Sequence, residues 1–217
     1  IAEVRHPDKM LYTPNDLHVD KQAVLDVCHF KEAWDIYQGD SSVVIAISDN
    51  GTNNAHEDLK GNIAVNVGEI PNNGIDDDGN GFIDDYKGYN YTYKQDGTTP
   101  DNTYNTHPHG TQTAGIAAAQ FDNSLGIAGT GGKSRLFPIK VAPLGVTDLD
   151  YGYESIMYAA EQGFKVINLS WGSVKPYSLF DQSIINYALA YDLAIVAAGG
   201  NENTNTEITY PAGYSGV

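Results

Sequence analysis

The chain contains the segment Val43-Val44-Ile45-Ala46-Ile47-Ser48-Asp49-Asn50-Gly51, in which five apolar side chains precede a carboxylate and a turn. An unbroken apolar run of this length predicts a strand buried on both faces, as in a parallel sheet. Residues 166–169 and 193–198 have a similar character. Residues 136–141 form a fourth candidate, in which Pro138 indicates an edge strand or a bulge.

Segments with a helical period separate these runs. Residues 151–162 and 181–191 place apolar side chains three and four positions apart, and residues 110–120 are rich in Ala and Thr and contain no Pro. The alternation of strands and helices predicts an α/β fold in which helices flank a mostly parallel central sheet. Functional side chains in such folds gather in the loops that follow the carboxyl ends of the strands.

The composition limits the partners of the protein. The 217 residues include 12 Lys and Arg against 28 Asp and Glu, which gives a formal net charge of −16. Nucleic acids and anionic membranes attract basic surfaces, so this balance disfavours both as partners. No apolar stretch approaches the length of about 18 residues that indicates a membrane span. The single cysteine, Cys28, excludes an internal disulfide framework.

Residues 61–106 differ in composition from the rest of the chain. They are rich in Gly, Asn, Asp, Thr and Tyr and have little periodicity. This pattern predicts an ordered loop insertion within one domain rather than a second domain.

Three short motifs follow predicted strands or open a predicted helix. Asp49 directly follows the first strand, where a carboxylate can be fixed and shielded from water, and His109 precedes the helix predicted over 110–120. Asn201 follows Gly199-Gly200 after the run at 193–198, where an amide N–H can be held in place. Taken singly, the three are more typical of an Asx turn, a capping or surface histidine and an ordinary turn.

Taken in order, these motifs resemble those of the subtilisin-like serine proteases (subtilases). Asp49-Asn50-Gly51 is similar to the Asp-Ser/Thr-Gly motif of that family, and residues 109–115 are similar to its His-Gly-Thr-x-x-Ala-Gly motif. Residues 166–172 resemble its Val-Ile-Asn-x-Ser-x-Gly strand, and Gly200-Asn201 resembles the site of its oxyanion Asn. The resemblance runs along the whole chain and implies the three-layer subtilisin-like fold, incomplete at its C-terminal end.

The resemblance also implies a role for each of these residues. Asp49 would orient the imidazole of His109 and stabilise its positive charge, and His109 would take the proton of a serine nucleophile and pass it to the leaving amine. Asn201 would donate a hydrogen bond to the developing oxyanion. The edge segment Ser170-Trp171-Gly172 would pair with a polypeptide substrate, with Trp171 as a wall of a side-chain pocket.

The chain departs from the family pattern at several positions. Asn50 replaces Ser or Thr, Pro108 replaces Gly and Gly199 replaces Ala. The Gly-Thr-Ser-x-Ala-x-Pro segment that carries the family's nucleophile does not occur among the 217 residues, and Ser215 lacks that context and is not assigned to the role. We therefore expect residues 13–217 to be the N-terminal part of a subtilase catalytic domain that does not hydrolyse peptides as this chain alone.

Residues 1–8 resemble the end of a subtilase propeptide, so residues 1–12 are predicted to be the tail of a propeptide or a linker. The resemblance therefore implies a secreted protein whose partners include its own propeptide. The sequence leaves the oligomeric state and the substrate preference open.

Five carboxylates lie within residues 76–85, and their mutual repulsion would be costly without a cation. Oxygen ligands fall at positions 1, 3, 5, 7 and 9 of a calcium loop, namely Asp76, Asp78, Asn80, the backbone carbonyl of Phe82, and Asp84. Lys87 replaces the usual Glu at position 12, so the segment is not a complete EF-hand. The spacing predicts a Ca²⁺ site, and a solvated acidic turn is the alternative.

A second calcium site follows only from the family resemblance. Asp16, Asp58 and Asn123 match positions that hold a structural calcium in many subtilases. Cys28 and the histidines lack the spacing of a zinc site.

Together these observations predict a calcium-stabilised serine endopeptidase that acts by a Ser/His/Asp mechanism. Two rival hypotheses stay open: a non-catalytic pseudoprotease that binds peptides, and a calcium-binding adhesion or structural domain. A missing or replaced nucleophile in the complete protein would favour the first. Activity that survives both Asp49→Ala and His109→Ala would favour the second.

Overall fold

The computed structural model describes residues 11–203 and 207–217. The strands in this part of the chain are β1 (Val44–Asp49), β2 (Tyr89–Asn90), β3 (Arg135–Lys140), β4 (Val166–Leu169), β5 (Ser173–Val174), β6 (Ala194–Ala197) and β7 (Thr209–Tyr210). The α-helices are α1 (Ala23–Val27), α2 (Phe30–Ile36), α3 (Tyr93–Asp96), α4 (His109–Ala118), α5 (Gly152–Glu161) and α6 (Leu179–Ala190), preceded by a 3-10 turn at Val19–Lys21. Within the described ranges, no helix has the length and apolar character needed to cross a bilayer.

Five of the strands form one parallel sheet, in the order β2-β3-β1-β4-β6. β5 and β7 form a separate antiparallel pair, in which Ser173 lies opposite Tyr210. Strands of the sheet alternate with helices along the chain in the way that the sequence pattern predicted, so the expected α/β fold is confirmed.

Helices cover both faces of the sheet. Ala46 of β1 belongs to a buried cluster with Ile156 of α5 and Ile185 of α6, whereas Ile47 belongs to a second cluster with Ala114 of α4. Because successive side chains of a strand point to opposite faces, α4 lies on one side of the sheet, and α5 and α6 lie on the other. This three-layer arrangement explains why the strand is apolar without alternation.

Pro138 lies inside the sheet and keeps a regular register opposite Ile47 of β1. The expectation of an edge strand or a bulge is therefore wrong. The N–H of Leu136 points away from β1 and donates to the carbonyl of Asn62. Because backbone N–H groups alternate between the two sides of a strand, the nitrogen of Pro138, two residues later, also faces away from β1. On that side, β2 begins to pair only at Ile139, so the ladder needs no N–H from Pro138.

The carboxyl ends of β1, β3, β4 and β6 lie side by side at one edge of the sheet. Asp49 is in register with Lys140, and Ser48 is in register with Leu169, which in turn lies opposite Ala197. The residues that follow these strands therefore surround a common space.

The segment 61–106 consists mainly of turns, with β2 and α3 as its regular elements. β2 joins this segment to the sheet through the pairing of Tyr89 with Ile139 and of Asn90 with Lys140. The segment 61–106 is thus anchored next to the carboxyl end of β3, close to the candidate site.

Candidate active site

His109 and Asp49 form a hydrogen-bonded pair at the carboxyl edge of the sheet. Nδ1 of His109 lies 2.8 Å from Oδ1 of Asp49, although the two residues are 60 positions apart in sequence. Asp49 is 3% exposed, whereas the side chain of His109 is 45% exposed. When Nδ1 donates to the carboxylate, Nε2 of the neutral imidazole is left as an acceptor. This is the geometry of a carboxylate that orients a general base.

Three donors hold the carboxylate of Asp49. Besides His109, the N–H of Asn50 donates to Oδ1 at 2.7 Å, and the hydroxyl of Thr113 donates to Oδ2 at 3.1 Å. A buried carboxylate with several donors keeps one orientation. Thr113 was not among the predicted site residues, although it lies four residues after His109 and so on the same face of α4.

Asn50 fixes the start of α4. Its Oδ1 accepts the N–H of Gly110 at 3.0 Å, one of the N–H groups that a helix start leaves without an intrahelical partner. Its own carbonyl accepts a hydrogen bond from Nδ2 of Asn105 at 2.8 Å. The amide that replaces Ser or Thr of the family pattern therefore ties the strand that carries Asp49 to the helix that carries His109.

Gly110 allows α4 to approach β1 closely. A Cβ at this position would lie 2.3 Å from the carbonyl oxygen of Gly51 and 2.9 Å from Cβ of Asp49. Both distances are too short for real contacts, so only Gly fits the observed spacing. The close approach is what brings His109 within hydrogen-bonding distance of Asp49.

Asp49 and His109 face a cleft of about 580 Å³. The other predicted catalytic and substrate-binding residues line the same cleft: Asn201, Ser170, Trp171 and Gly172. Asn201 is exposed, and its backbone N–H donates to Oε2 of Glu202 at 2.8 Å. The structure therefore brings all six residues together, while their individual roles stay predictions.

The segment Ser170-Trp171-Gly172 runs along this cleft directly after β4. Among the described residues, its backbone groups form no hydrogen bonds with other backbone groups. The side chain of Ser170 accepts a hydrogen bond from Nδ2 of Asn168 at 2.9 Å. An unpaired backbone segment at the end of a strand is able to pair with an extended peptide.

His107 also lines the cleft, but it is bonded differently from His109. Its Nδ1 lies 3.2 Å from Nδ2 of Asn50, and its ring centroid is 6.5 Å from that of His109. Of the two histidines, His109 is therefore the one that the buried carboxylate orients.

Ser215 is held away from this pair. Its N–H donates to Oε1 of Gln182 at 3.0 Å, and its carbonyl accepts a hydrogen bond from Nε2 of the same side chain at 3.0 Å. It does not line the cleft. In the described part of the chain, no serine hydroxyl is hydrogen-bonded to the imidazole of His109.

The acidic segment 76–85 folds around its own backbone. The carboxylate of Asp76 accepts three N–H groups from residues 79–81, at 2.7 to 3.1 Å. The carboxylate of Asp84 accepts the N–H groups of residues 73 and 74, at 3.1 and 2.9 Å. These two predicted ligands therefore form the turns of the loop.

Glu69, Asp78 and Asp85 bring carboxylate oxygens within 4.8 Å of one another. Glu69 and Asp85 are buried, whereas Asp78 is exposed. Burial raises the pKa of both Glu69 and Asp85, and neighbouring carboxylates, Asp78 among them, raise each further. Several carboxylate oxygens that converge in this way fit Ca²⁺, which prefers hard oxygen ligands.

Asp78 is the predicted ligand that belongs to this cluster. Asn80 contacts the cluster directly, whereas Phe82 contacts it through its ring, which packs against Tyr158. Nδ2 of Asn80 donates to Oδ2 of Asp85 at 3.0 Å, and the ring of Phe82 meets that of Tyr158 edge-on, with 4.6 Å between centroids. The hydroxyl of Tyr158 donates to Oδ2 of Asp85 at 2.6 Å. The spacing of the loop did not indicate Glu69 because Glu69 precedes the loop, nor Asp85 because it follows position 9.

Asp16, Asp58 and Asn123 also lie together. Nδ2 of Asn123 donates to Oδ1 of Asp58 at 2.8 Å, and the N–H of Asn123 donates to Oδ1 of Asp16 at 3.3 Å. Both carboxylates are buried, and burial raises the pKa of Asp16, with a further contribution from the charge of Asp58. The two buried carboxylates are again ligands that fit Ca²⁺, whereas the amide oxygen of Asn123 accepts the N–H of Leu125 at 2.7 Å.

Comparison with known proteins agrees with this geometry. A parallel sheet with helices on both faces, and an Asp–His pair at its carboxyl edge, are features that subtilisin-like α/β proteins share with other α/β hydrolases. The model of the subtilase family, also called peptidase S8, matches residues 40–217. The chain therefore belongs to the subtilase family.

Individual relatives match most or all of the chain. Thermitase from Thermoactinomyces vulgaris is 35% identical over 206 residues, which cover 94% of this chain and 63% of thermitase. The thermophilic serine proteinase of Bacillus sp. (strain AK1) is 30% identical over 100% of this chain and 47% of that protein. The solved structure of a protease from Pseudoalteromonas arctica PAMC 21717 has a TM-score of 0.71 and 29% identity, over 95% of this chain and 64% of that one. The chain thus spans less than two thirds of the length of each.

Proposed function

We propose that the protein is a serine endopeptidase that cleaves peptide bonds by acyl transfer to a serine hydroxyl and then to water. The observation that carries the proposal is the Asp49–His109 pair, which leaves Nε2 as an acceptor in a cleft. Beside it lies a segment whose backbone forms no backbone hydrogen bonds within residues 11–203 and 207–217. Membership of the subtilase family supports the same reaction, and one of the relatives described above is a serine proteinase by name.

In this reaction, His109 takes the proton of the serine hydroxyl through Nε2 while the oxygen attacks the carbonyl carbon of the substrate. The imidazolium that forms lies 2.8 Å from Asp49, whose negative charge stabilises it. The proton then passes to the leaving amine as the C–N bond breaks. In the second half of the reaction, His109 takes a proton from a water molecule whose oxygen attacks the acyl carbon. The ester bond to the serine then breaks, and the imidazolium returns the proton to the serine oxygen.

The nucleophile in this proposal is a serine outside these 217 residues. Ser215 is bonded to Gln182 and does not line the cleft, and the serines that do line it, Ser170 and Ser173, are not hydrogen-bonded to His109 within the described ranges. The matched relatives are longer than this chain.

Asn201 is proposed as the donor to the oxyanion, and Ser170-Trp171-Gly172 as the segment that pairs with the substrate. Asn201 and His109 line the same cleft. A substrate carbonyl that is attacked near His109 therefore lies in the cleft that Asn201 also lines. An N–H fixed where negative charge develops lowers the barrier to the tetrahedral intermediate. We expect Asn201→Leu to reduce kcat far more than it changes KM, and a pure KM effect would contradict the assignment.

A fluorophosphonate probe tests the reaction class, because it reacts readily with a serine hydroxyl only when a general base activates it. The full-length protein that carries this chain is treated with the probe, and the modified peptide is identified by mass spectrometry. We expect one labelled serine in the wild type, almost no labelling in His109→Ala, and retained labelling in the matched variant His107→Ala.

A folded protein that is neither labelled nor able to cleave peptides would contradict the proposal and favour the non-catalytic pseudoprotease. Activity that survives both Asp49→Ala and His109→Ala would also contradict it and favour the adhesion or structural domain. Circular dichroism on each variant confirms that the loss of labelling is not a loss of folding.

We further propose that Ca²⁺ stabilises the fold at two places. Glu69, Asp78 and Asp85 would hold one ion, and a second would be held by Asp16, Asp58 and Asn123. A bound Ca²⁺ neutralises carboxylates that otherwise repel one another, so it stabilises the folded state over the unfolded one. Asp76 and Asp84 accept backbone N–H groups in the turns of the loop, and their role as ligands, predicted from their spacing, stays a prediction.

We also propose that the protein acts outside the cell after release from a propeptide. Sites with few carboxylates bind Ca²⁺ weakly, and such sites are filled at the calcium concentrations of extracellular fluids. The segment that resembles the end of a propeptide, residues 1–8, lies outside the described residues. N-terminal sequencing of the protein in culture medium tests the proposal, and we expect an N-terminus within a few residues of Thr13.

A further inference from the structure

The indole of Trp171 reaches from the cleft to the strand that carries Asp49. Its Nε1 lies 3.2 Å from Oγ of Ser48, the residue directly before Asp49, although Ser48 and Trp171 are 123 positions apart in sequence. Ser48 is fully buried, whereas Trp171 is half-buried and lines the cleft. This contact joins the edge of the cleft to the catalytic strand.

Ser48 extends the contact into a chain of three hydrogen bonds. Its Oγ lies 2.7 Å from Oγ of Ser155, which in turn lies 2.6 Å from the carbonyl oxygen of Gly152. An indole N–H only donates and a carbonyl only accepts, so the direction of each hydroxyl is fixed. Ser48 accepts from Trp171 and donates to Ser155, and Ser155 donates to Gly152. The hydroxyl of Ser48 is therefore needed both as an acceptor and as a donor.

Gly152 provides the space in which the indole lies. A Cβ at this position would lie 2.5 Å from Cη2 and 2.7 Å from Cζ2 of Trp171. The ring of Tyr153 meets the indole edge-on, with 5.8 Å between centroids. The position of the indole is thus fixed by packing against the first turn of α5 as well as by its hydrogen bond.

Ser48 and Asp49 point to opposite faces of the sheet because they are neighbours in a strand. The end of β1 is therefore held from both sides, by Trp171 on the side of α5 and by His109 on the side of α4. A shift of Trp171 would change the distance between its segment and the Asp49–His109 pair without breaking the hydrogen bond between those two.

We propose that Trp171 is a positioning residue that sets the distance between the substrate-pairing segment Ser170-Trp171-Gly172 and the Asp49–His109 pair. The inference rests on the proposed endopeptidase function. A peptide paired with this segment presents its scissile carbonyl at a distance from His109 that the Trp171–Ser48 contact determines. Small displacements of a bound substrate from its reactive position lower the rate of acyl transfer.

The length of the substrate separates this role from a purely structural one. An extended peptide pairs with the segment, whereas a single-residue acyl ester does not reach it and depends only on the groups that act on its carbonyl. A positioning residue therefore affects peptides more than short esters. A residue that only stabilises the fold affects both substrates equally, in proportion to the fraction of folded protein.

The test compares Ser48→Ala and Trp171→Phe with the wild type in the full-length protein, on an extended peptide and on a single-residue ester. Both variants remove the Trp171–Ser48 hydrogen bond: Ser48→Ala removes the acceptor, and Trp171→Phe removes the donor. We expect the ratio of kcat for the peptide to kcat for the ester to fall about 3- to 10-fold in both, which corresponds to one ordinary hydrogen bond. Ser155→Ala is the matched control, because it removes a hydroxyl of the same chain without touching the indole, and we expect a smaller change in the ratio.

A second comparison uses the space at Gly152. Gly152→Ala displaces the indole, so we expect it to lower the peptide-to-ester ratio at least as much as Ser48→Ala does. In the background Trp171→Leu, which removes the large ring, the additional Gly152→Ala is expected to have little further effect. Additive effects of the two substitutions would contradict the inference, because the two positions would then act independently.

A measurement without turnover keeps the inference separate from the proposed function. In His109→Ala, we expect an extended peptide to change the tryptophan emission, and we expect most of that change to be absent in His109→Ala/Trp171→Phe. Equal losses on peptide and ester, or an emission change that survives Trp171→Phe, would overturn the inference while leaving the endopeptidase function intact. A wild-type protein that hydrolyses neither substrate but shows the emission change would overturn the proposed function instead.

Discussion

Lys140 and Asp96 form an ion pair in which neither side chain is exposed to solvent, with 2.5 Å between Nζ and Oδ2. Lys140 ends β3 in register with Asp49, and Asp96 ends α3 within the segment 61–106. The carboxylate of Asp96 also accepts the N–H of Leu144 at 2.6 Å. The pair therefore ties this segment to the strand beside the candidate active site.

Asp96→Asn is expected to destabilise the protein strongly. The substitution leaves the ammonium of Lys140 buried without a counter-charge, a situation that costs about 3–5 kcal/mol in other proteins. Urea unfolding at neutral pH measures the change in the free energy of unfolding. Asp192→Asn is the matched control, because the Lys165–Asp192 pair is exposed and its loss is expected to change stability little. Equal effects of the two substitutions would contradict this account.

The same pair predicts how stability depends on pH. Burial of Asp96 opposes ionisation, but hydrogen bonds from Lys140, Leu144 and Asn90 outweigh it and lower the pKa of the carboxyl. Because the folded pKa lies below the unfolded value of about 3.9, the contribution of the pair is complete above that value and is lost as pH falls through the folded pKa. We expect the stability difference between the wild type and Asp96→Asn to shrink below about pH 4, and a constant difference would contradict the assignment.

Gly110→Ala is expected to disrupt both the fold and the Asp49–His109 pair. The added methyl would meet the carbonyl oxygen of Gly51 at 2.3 Å, so α4 must move away from β1. We expect a loss of stability of a few kcal/mol, about the range for overpacked sites, and almost complete loss of activity. The experiment combines thermal unfolding with the peptide assay.

Gly115→Ala is the matched control on the same helix. Its Cβ would meet its nearest neighbour, Cδ1 of Ile127, at an ordinary 3.7 Å. Replacing a helical Gly by Ala at an uncrowded position stabilises by about 0.5–1 kcal/mol. A Gly110→Ala protein that behaves like Gly115→Ala would show that the close approach of α4 to β1 is not required.

The sequence was sufficient to predict the sheet and to single out Asp49 and His109, which the structure brings together, because both predictions depend on local signals. Burial on both faces gives the strands their unbroken apolar runs, and Asp49 and His109 lie directly at a strand end and a helix start. The orientation of Pro138 could not be predicted, because it depends on which neighbour its nitrogen faces.

Contacts between segments that are far apart in sequence could not be predicted. Asp85 was seen as one of five clustered carboxylates, but only the folded chain brings it to Glu69, which precedes the loop. The contact of Trp171 with Ser48 depends in the same way on the space that Gly152 leaves for the indole. The sequence alone does not show that this glycine packs against a tryptophan. Such contacts depend on the packing of elements that are far apart along the chain.

Removal of calcium is expected to lower the melting temperature. If Ca²⁺ is present at roughly 100 times its dissociation constant, binding contributes about 2.7 kcal/mol per site, which corresponds to a shift of about 5–10 °C for a protein of this size. Differential scanning calorimetry with calcium and with excess chelator measures the shift. An unchanged melting temperature would contradict both calcium sites.

Two variants assign the calcium effect to its sites. Asp85→Asn removes a buried carboxylate from the proposed site with Glu69 and Asp78. Asp58→Asn removes a buried carboxylate from the proposed site with Asp16. Each is expected to abolish only its own part of the chelator-induced shift. Asp101→Asn, a substitution of the same chemistry outside both clusters, should leave the shift unchanged. A shift that neither Asp85→Asn nor Asp58→Asn reduces would place the ion elsewhere.

The charges of the cleft predict a preference for cationic peptides. Asp148, Asp150 and Glu202 line it together with Asp49. Lys175, which is the lysine among the described lining residues, is paired with Asp181 at 2.6 Å. A cleft lined by one sign of charge concentrates substrates of the opposite sign and increases their association rate by roughly 10-fold or more at low salt. We therefore expect a higher kcat/KM for a Lys-containing peptide than for the same peptide with Glu.

Ionic strength and a double variant test this preference. Because the attraction is screened within about 10 Å at 0.1 M salt, the Lys-to-Glu ratio of kcat/KM should fall steeply as salt is added. Asp148→Asn/Asp150→Asn should lower the ratio at low salt, whereas Asp101→Asn/Asp192→Asn, which changes the net charge equally outside the cleft, should not. A ratio that is independent of salt and equal in both double variants would show that the carboxylates of the cleft do not select the substrate.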